Sequence, residues 1–174
     1  MRRSAITMAM LLAGALGCSD QPAATEPTEV PAAAVHPHTT TVDGLLKAVR
    51  GATARYNSTA QALEAGYQPD THCVPGMGYH WLNASLVDPV FDPLNPEVVI
   101  YAHDANGRLR VVAVEYVVID AGQPQPDFAG RAFDVGGTPV PLPHWSQHVW
   151  LYEANADGVL TNFNPAIACG SSPS

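Results

Sequence analysis

The sequence predicts an α+β fold in which N-terminal helices pack on a curled antiparallel sheet with long Pro/Gly-rich loops. Three observations indicate it. Apolar residues recur at helical spacing within residues 42–65, two runs rich in β-branched residues flank an Asn-Gly pair within residues 97–119, and Pro/Gly-rich stretches separate the other segments. Short turns join antiparallel strands, and helices that precede such a sheet are typical of the α+β class.

The two helices are expected at the start of this domain. The first carries an apolar stripe at spacings of four, three and four, formed by Leu45, Val49, Ala52 and Tyr56. Ser58, with Gln61 three residues later, has the pattern of a capping box. The second helix, over residues 58–65, is expected to end at Gly66, because glycine is favoured just past a helix C-terminus.

The strands follow the helices. Residues 97–103 and 109–119 are joined by a short loop with an Asn-Gly pair, which is the pattern of a β-hairpin. The second run is apolar on both faces with one exception, so we expect a central strand that is covered on both sides. Alternating side chains predict a third strand over residues 147–153, and residues 159–163 are a candidate for a short fourth strand.

Residues 1–17 have the pattern of a lipoprotein signal peptide. Two arginines precede an apolar segment of twelve residues, Ala5 to Leu16. A helix that spans a bilayer needs about 20 residues, so this segment is too short to be one. The signal ends in Ala-Leu-Gly before Cys18, which resembles the bacterial lipobox. The resemblance implies that Cys18 is lipidated and becomes the new N-terminus.

Residues 18–41 are expected to be a lipid-anchored flexible linker, followed by a single globular α+β domain at residues 42–174. The linker is rich in Pro, Ala and Thr and lacks an apolar period, so it cannot offset the entropy of ordering. Ser19 stands where an aspartate marks inner-membrane retention in enterobacterial lipoproteins. The resemblance therefore implies an exported protein on the outer membrane, facing the periplasm, with the membrane as its partner through the lipid anchor.

The charge of the exported chain excludes nucleic acid as a partner. The whole chain has 8 Lys and Arg against 16 Asp and Glu, and removal of the signal takes away Arg2 and Arg3, which leaves 6 basic and 16 acidic side chains and a formal charge of −10. Neutralising phosphates requires clustered Lys and Arg. Cationic or neutral ligands suit this domain better, and the small-molecule or protein partner is unknown.

The cysteine count predicts one disulfide. With Cys18 lipidated, Cys73 and Cys169 remain as a pair in an oxidising compartment. A Cys73–Cys169 bond would close a loop of about 96 residues and contribute about 4–5 kcal/mol by restricting the unfolded chain. It would also attach the C-terminal segment to the loop that contains Cys73.

A carboxylate inside an apolar strand is the most informative feature for function. Glu115 is aligned by alternation with Val111, Ala113 and Val117. An unpaired carboxylate in such a place costs several kcal/mol. The domain has few cations to pair with it, and alternation places Arg110 on the opposite face. A metal ion would neutralise the carboxylate without any of them.

His80 and His148 are the expected partners of Glu115 in a metal site. His148 lies on a strand that can pair within the same sheet, and the disulfide would bring the loop containing His80 towards the segment that follows this strand. Two imidazoles and one carboxylate form a three-ligand site with open positions, suited to zinc, copper or iron. His144 is the expected fourth ligand.

Several alternatives stay open. A rival copper site in the loop around Cys73 uses His72 and Met77, and His36 and His38 in the linker form a weaker set. Glu115 could also be hydrogen-bonded without any metal. In another class, the domain is a small-ligand or protein-interaction module of the cell envelope, with a cleft lined by Trp81, Tyr116, Trp145 and Trp150. A metal-dependent enzyme would use the same three ligands, but no motif identifies catalytic residues.

Five stretches of the chain resemble a family of exported bacterial proteins of unknown function. They are ALEAGY, CVPGMGYHWLN, NPEVVIYAHDANGRLRVVAVEY, HVWLYEANADG and FNPAIAC. The motifs in them are MGxHxxN, the hairpin with PExxxY, and the C-terminal HVW…NP…C, and together they cover about residues 60–169. The resemblance implies an exported single domain with paired cysteines, and it implies no known activity or ligand.

Replacement of Cys18 by serine tests the lipid anchor. Because the thiol is the site of acylation, Cys18→Ser should move the protein from the membrane fraction into the periplasm or the medium, as measured by fractionation and immunoblotting. Each buried methylene of an acyl chain contributes about 0.8 kcal/mol, so the acylated protein should withstand a salt wash. A Cys18→Ser protein that stays with salt-washed membranes would contradict the lipoprotein prediction.

Overall fold

The structure is a computed structural model that describes residues 41–137 and 140–170. Among these residues, no helix combines the length and the apolar character that a membrane span requires. The expected signal peptide, lipidation site and linker histidines lie outside the described residues: residues 1–17, Cys18, His36 and His38.

Two short helices and a 3-10 turn open the domain. They are α1 at Val42–Thr53, the 3-10 helix at Ala54–Asn57 and α2 at Thr59–Glu64. The side chain of Ser58 accepts a hydrogen bond from the Gln61 amide and caps α2, as the sequence pattern predicts. The apolar stripe of α1 is buried at Val49, and it continues to the buried Tyr56.

Eight strands follow among the described residues and form two sheets. They are β1 at Cys73–Val74, β2 at Gly78–Leu82, β3 at Val98–His103, β4 at Leu109–Ile119, β5 at Asp127–Phe128, β6 at Arg131–Ala132, β7 at Asp134–Val135 and β8 at His144–Val149. The main sheet has the order β1-β2-β3-β4-β8-β7 and is antiparallel, while β5 and β6 pair separately. The main sheet is strongly curled into a half-barrel, which confirms the predicted α+β class.

The predicted hairpin is present as β3 and β4. The carboxylate of Asp104 accepts hydrogen bonds from the amides of Asn106 and Arg108, at 2.8 and 2.9 Å, and closes the turn. Gly107 has φ +75°, a conformation that a side chain disfavours. β4 pairs with β3 on one side and β8 on the other, so it is the central strand that its apolar sequence predicts.

The two faces of the sheet have different roles. The helix face carries Val99, Tyr101, Val114, Tyr116 and Val118, and it packs against buried side chains of the helical segment. The site face is the opposite one, and it carries His80, Ile100, Ala113, Glu115, Val117 and His148. Val87, Val159 and Ile167 from the loops and the C-terminal segment pack against the apolar residues of the site face.

A β-bulge corrects the predicted alignment of β4. Ile100 pairs with Ala113, whereas the next residue of β3 pairs with Val111, so Val112 is an extra residue in the ladder. The prediction that Val111 shares a face with Glu115 is therefore wrong, because the bulge reverses the alternation before Ala113. A bulge also bends its strand and increases the local twist, which favours a curled sheet.

The third strand lies earlier than predicted. β8 ends at Val149 and not at residue 153, because the backbone amide of Trp150 donates to Val159 and its indole N–H to Thr161. These bonds turn the chain away from the sheet. Residues 159–163 provide partners for this turn but form no strand, so the prediction of a fourth strand there is wrong.

The predicted disulfide between Cys73 and Cys169 is present. Two backbone hydrogen bonds beside it join the β1–β2 turn to the C-terminal segment: the Gly76 amide donates to Ile167 at 3.0 Å, and the Asn164 amide donates to Gly76 at 2.8 Å. Ile167 is 5% exposed and packs on the site face. The disulfide thus fixes one wall of the site face.

Glu97 is a buried carboxylate that the sequence prediction missed. It is 2% exposed, and its Oε2 accepts a hydrogen bond of 2.9 Å from the amide of Val117, which lies beyond the last β3–β4 pair, Val98 and Glu115. Burial raises the pKa of Glu97 to about 8, against an ordinary value of 4.5. The signal in the sequence was its position directly before the buried run Val98–Ala102 of β3.

Glu97→Gln should reduce the pH dependence of stability. Between about pH 4.5 and pH 8 the folded protein keeps a proton on Glu97 that the unfolded chain releases, so the free energy of unfolding falls as pH rises through this window. Glutamine keeps the acceptor oxygen but does not titrate. Urea unfolding measures the free energy of unfolding at pH 5 and at pH 8. The decrease between these two pH values should be smaller in Glu97→Gln than in the unmodified chain by at least about 1 kcal/mol.

The exposed Glu64 provides the matched control, because Glu64→Gln changes the same chemical group where no burial opposes its charge. Glu64→Gln should leave the difference between pH 5 and pH 8 as it is in the unmodified chain. Parallel pH profiles of Glu97→Gln and the unmodified chain would contradict the assigned burial effect.

Candidate metal centre

Three side chains from three different strands converge on the site face. His80 comes from β2, Glu115 from β4 and His148 from β8. The Nε2 atoms of the two histidines are 3.4 Å apart, and Glu115 Oε2 lies 3.7 Å from His80 Nε2 and 3.8 Å from His148 Nε2. The three residues that the sequence analysis selected therefore form a group that could hold a metal ion.

The curl of the sheet produces this convergence. Glu115 and His148 are direct cross-strand partners, so their side chains are neighbours on one face. His80 is further away, because β3 and β4 lie between β2 and β8. At a strand spacing of about 4.8 Å, a flat sheet would place the backbones of β2 and β8 about 14 Å apart, which two imidazoles cannot bridge. The sheet must curl towards the site face.

The two Nε2 atoms lie at the outer limit of a hydrogen bond with each other, at 3.4 Å, but the distances from Glu115 suit a metal better than hydrogen bonds. Hydrogen bonds between N–H and O span about 2.7–3.2 Å, and both Glu115–His distances are longer. A point equidistant from the three atoms lies about 2.1 Å from each, the circumradius of a triangle with sides of 3.4, 3.7 and 3.8 Å. Zinc bonds to imidazole and carboxylate measure about 2.0–2.2 Å. The donors stand at bonding distance from one shared point.

Burial controls the protonation of all three groups. The side chains of His80, Glu115 and His148 are 11%, 12% and 4% exposed. Burial lowers the pKa of His80, although the Glu115 carboxylate opposes the shift, and it lowers the pKa of His148 to about 4. Burial also raises the pKa of Glu115, against the opposing effect of His80. At neutral pH both imidazoles are uncharged, which is the form that binds metals.

No lysine or arginine of the described residues forms an ion pair with Glu115. Arg110 was expected on the face of the sheet that does not carry Glu115. This expectation is wrong, because the bulge places Arg110 beside Ala102, whose side chain lies on the site face. Its guanidinium is nevertheless occupied by an ion pair with Glu153. Among the described side chains, imidazoles are the groups that act on the Glu115 charge: His80 and His148 lie within 4 Å of its carboxylate, and His144 also favours its charged form.

The two imidazoles differ in how they are supported. The Gly78 backbone acts to raise the pKa of His80, against the larger effect of burial. His148 Nδ1 is buried, and none of the described residues offers it a hydrogen-bond partner. Because hydrogen-bond partners of metal-ligating histidines change metal affinity about 10–100-fold, a site in which His148 lacks such a partner should exchange its ion more readily than a fully supported one.

Gly78 is a positioning residue that the sequence prediction did not select. It has φ +102°, and a Cβ atom there would lie 2.4 Å from the carbonyl oxygen of Tyr101. Only glycine allows β2 to approach β3 this closely, and β2 carries His80 two residues later. The prediction that this segment is a loop is wrong, because Gly78–Leu82 form β2; the signal for the strand was the run Tyr79-His80-Trp81-Leu82 directly after the glycine.

The remaining histidines and Met77 lie elsewhere. His144 is buried on β8, with Nδ1 2.7 Å from the Leu142 carbonyl, and it is not part of the three-residue group. His72 is exposed before β1, and Met77 lies in the turn between β1 and β2. His103 is exposed at the end of β3, where its ring packs edge-on against Tyr79.

The aromatic cleft expected for an interaction module is not found in the part of the chain that the structure describes. Trp81, Tyr116 and Trp150 are buried, and each belongs to a different apolar cluster. Tyr116 lies on the helix face, where its hydroxyl donates to the Pro93 carbonyl. These side chains stabilise the core, and only Trp145 is partly exposed.

Comparisons of the chain with protein-family models, with curated proteins and with solved structures found no match. The functional argument therefore depends on the geometry of the site.

Proposed function

We propose that this protein is an exported, lipid-anchored protein of the cell envelope that binds one transition-metal ion through His80, Glu115 and His148. The observation that carries the proposal is the spacing of the three donor atoms, which lie 3.4–3.8 Å apart around one point. Export and anchoring are supported by the signal pattern before Cys18 and by the linker that follows it. Membership of the family of exported bacterial proteins remains part of the proposal.

The electrostatics of Glu115 favour metal binding over a metal-free role. A buried carboxylate is normally compensated by hydrogen bonds or a counter-charge, and its loss of hydration costs several kcal/mol otherwise. The described residues offer Glu115 no hydrogen bond and no Lys or Arg, and both imidazoles stand beyond hydrogen-bonding distance from it. A divalent cation between the three groups compensates the carboxylate and uses the lone pairs of both imidazoles.

Metal uptake by the Cys18→Ser chain without a polyhistidine tag tests the proposal. The chain should retain about one zinc, copper or iron ion per molecule after dialysis, measured by elemental analysis. His80→Ala/His148→Ala should lose this uptake, because each substitution removes a donor. Glu115→Gln, which keeps the shape of the side chain, should weaken uptake. At a hundredfold excess of ion over Kd, binding should add about 2.7 kcal/mol to the stability of each chain that keeps the three donors, and nothing to that of His80→Ala/His148→Ala.

His72→Ala/His103→Ala is the matched control, since it removes two exposed histidines and should leave uptake unchanged. Circular dichroism shows whether each variant is folded. Full uptake by folded His80→Ala/His148→Ala would contradict the proposed site and favour the set of His72 and Met77 or the linker histidines. An unmodified chain that takes up no ion would favour the metal-free interaction module.

A further inference from the structure

The separations between the donor atoms distinguish between coordination geometries. For metal–ligand bonds of about 2.1 Å, two ligands at right angles are about 3.0 Å apart, as in octahedral sites, and two ligands at the tetrahedral angle are about 3.4 Å apart. At the trigonal angle the separation is about 3.6 Å. The observed values of 3.4, 3.7 and 3.8 Å all exceed the octahedral spacing. The three donors are therefore arranged for an ion of low coordination number.

The surroundings also disfavour an octahedral ion. Magnesium, manganese and the two-histidine-one-carboxylate iron sites place their ligands close to right angles and fill the other positions with water or substrate. His148 is 4% exposed, and the other two donors are 11% and 12% exposed. The low exposure of all three donors disfavours an ion that needs three further ligands from solvent.

No fourth ligand is available from the described histidines. His144, on the same strand as His148, lies with Nδ1 at 2.7 Å from the Leu142 carbonyl. Its ring lies against Gly136, where a Cβ atom would come within 2.0 Å of His144 Nε2. Both ring nitrogens are thus confined by backbone. An ion bound by His80, Glu115 and His148 takes its fourth ligand from outside this group.

We propose that the resident ion is zinc, four-coordinate, with three protein ligands and a fourth position open to water or a small monodentate anion. This inference rests on the proposed function. Two neutral imidazoles and one carboxylate leave a net charge of +1 on a divalent ion, so an anion at the fourth position completes charge neutrality. The partial exposure of His80 and Glu115 provides the path by which such a ligand enters.

Cobalt(II) substitution tests the coordination number. The probe is the Cys18→Ser chain with His36→Ala and His38→Ala, which removes the linker histidines, and without a polyhistidine tag. One equivalent of cobalt(II) should give the intense visible absorption of a four-coordinate ion, and zinc should displace the cobalt. Sodium azide should then shift these bands, because azide enters the open position. His144→Ala should leave the spectrum unchanged.

Four results would overturn the inference. Bound cobalt with the weak bands of an octahedral ion would contradict the low coordination number, while metal binding itself, and thus the proposed function, would stand. Intense bands that do not respond to azide, or that change in His144→Ala, would show that the protein fills the fourth position. Absence of cobalt and zinc binding in a folded chain would overturn the inference, and absence of copper and iron binding as well would overturn the proposed function.

Discussion

The curl of the main sheet towards the site face is the constraint on which the candidate site depends. His80 and His148 stand on strands separated by two others, and only curvature brings their Nε2 atoms to 3.4 Å. The bulge at Val112 bends the central strand, and Gly78 allows β2 to lie close against β3. The disulfide then holds the C-terminal segment against the β1–β2 turn. Each feature acts on the position of β2 relative to β8.

The same curvature creates an electrostatic conflict at the centre of the sheet. It buries Glu115 beside the imidazoles of His80 and His148, and burial disfavours the charged form of all three groups. Transfer of a proton from the carboxyl group to an imidazole therefore does not readily produce a stable ion pair. Natural proteins retain unfavourable arrangements of this kind at functional sites more often than in structural cores. Ion binding would convert the conflict into stabilisation of the folded state, because the unfolded chain does not assemble the three donors.

The sequence predicted those parts of the site that depend on local pattern. Glu115 is conspicuous because period-two alternation makes a carboxylate in an apolar strand an exception, and the paired cysteines linked the His80 loop to the C-terminal segment. Curvature leaves no such local pattern, since it depends on how six strands coil together. The bulge at Val112 was missed because neither glycine nor proline marks it. As a result, the faces of Val111 and Arg110 were assigned wrongly.

Two further features were not predicted because they depend on tertiary contacts. β8 ends at Val149 because Trp150 donates hydrogen bonds to the carbonyls of Val159 and Thr161. The alternation of side chains in the sequence nevertheless continues past Val149. The buried Glu97 accepts a hydrogen bond from the amide of Val117. The two residues are 20 positions apart, so no local sequence pattern encodes this contact. In contrast, the helix cap at Ser58 and the Asn-Gly hairpin are local, and both were predicted.

Anomalous X-ray diffraction at the zinc edge from crystals of the zinc-bound chain measures the central claim most directly. The account predicts one strong anomalous peak on the site face, within about 2.0–2.2 Å of Nε2 of His80, Nε2 of His148 and a carboxylate oxygen of Glu115. A fully occupied peak at His72 and Met77, or no peak among these three residues in crystals that contain stoichiometric zinc, would contradict it.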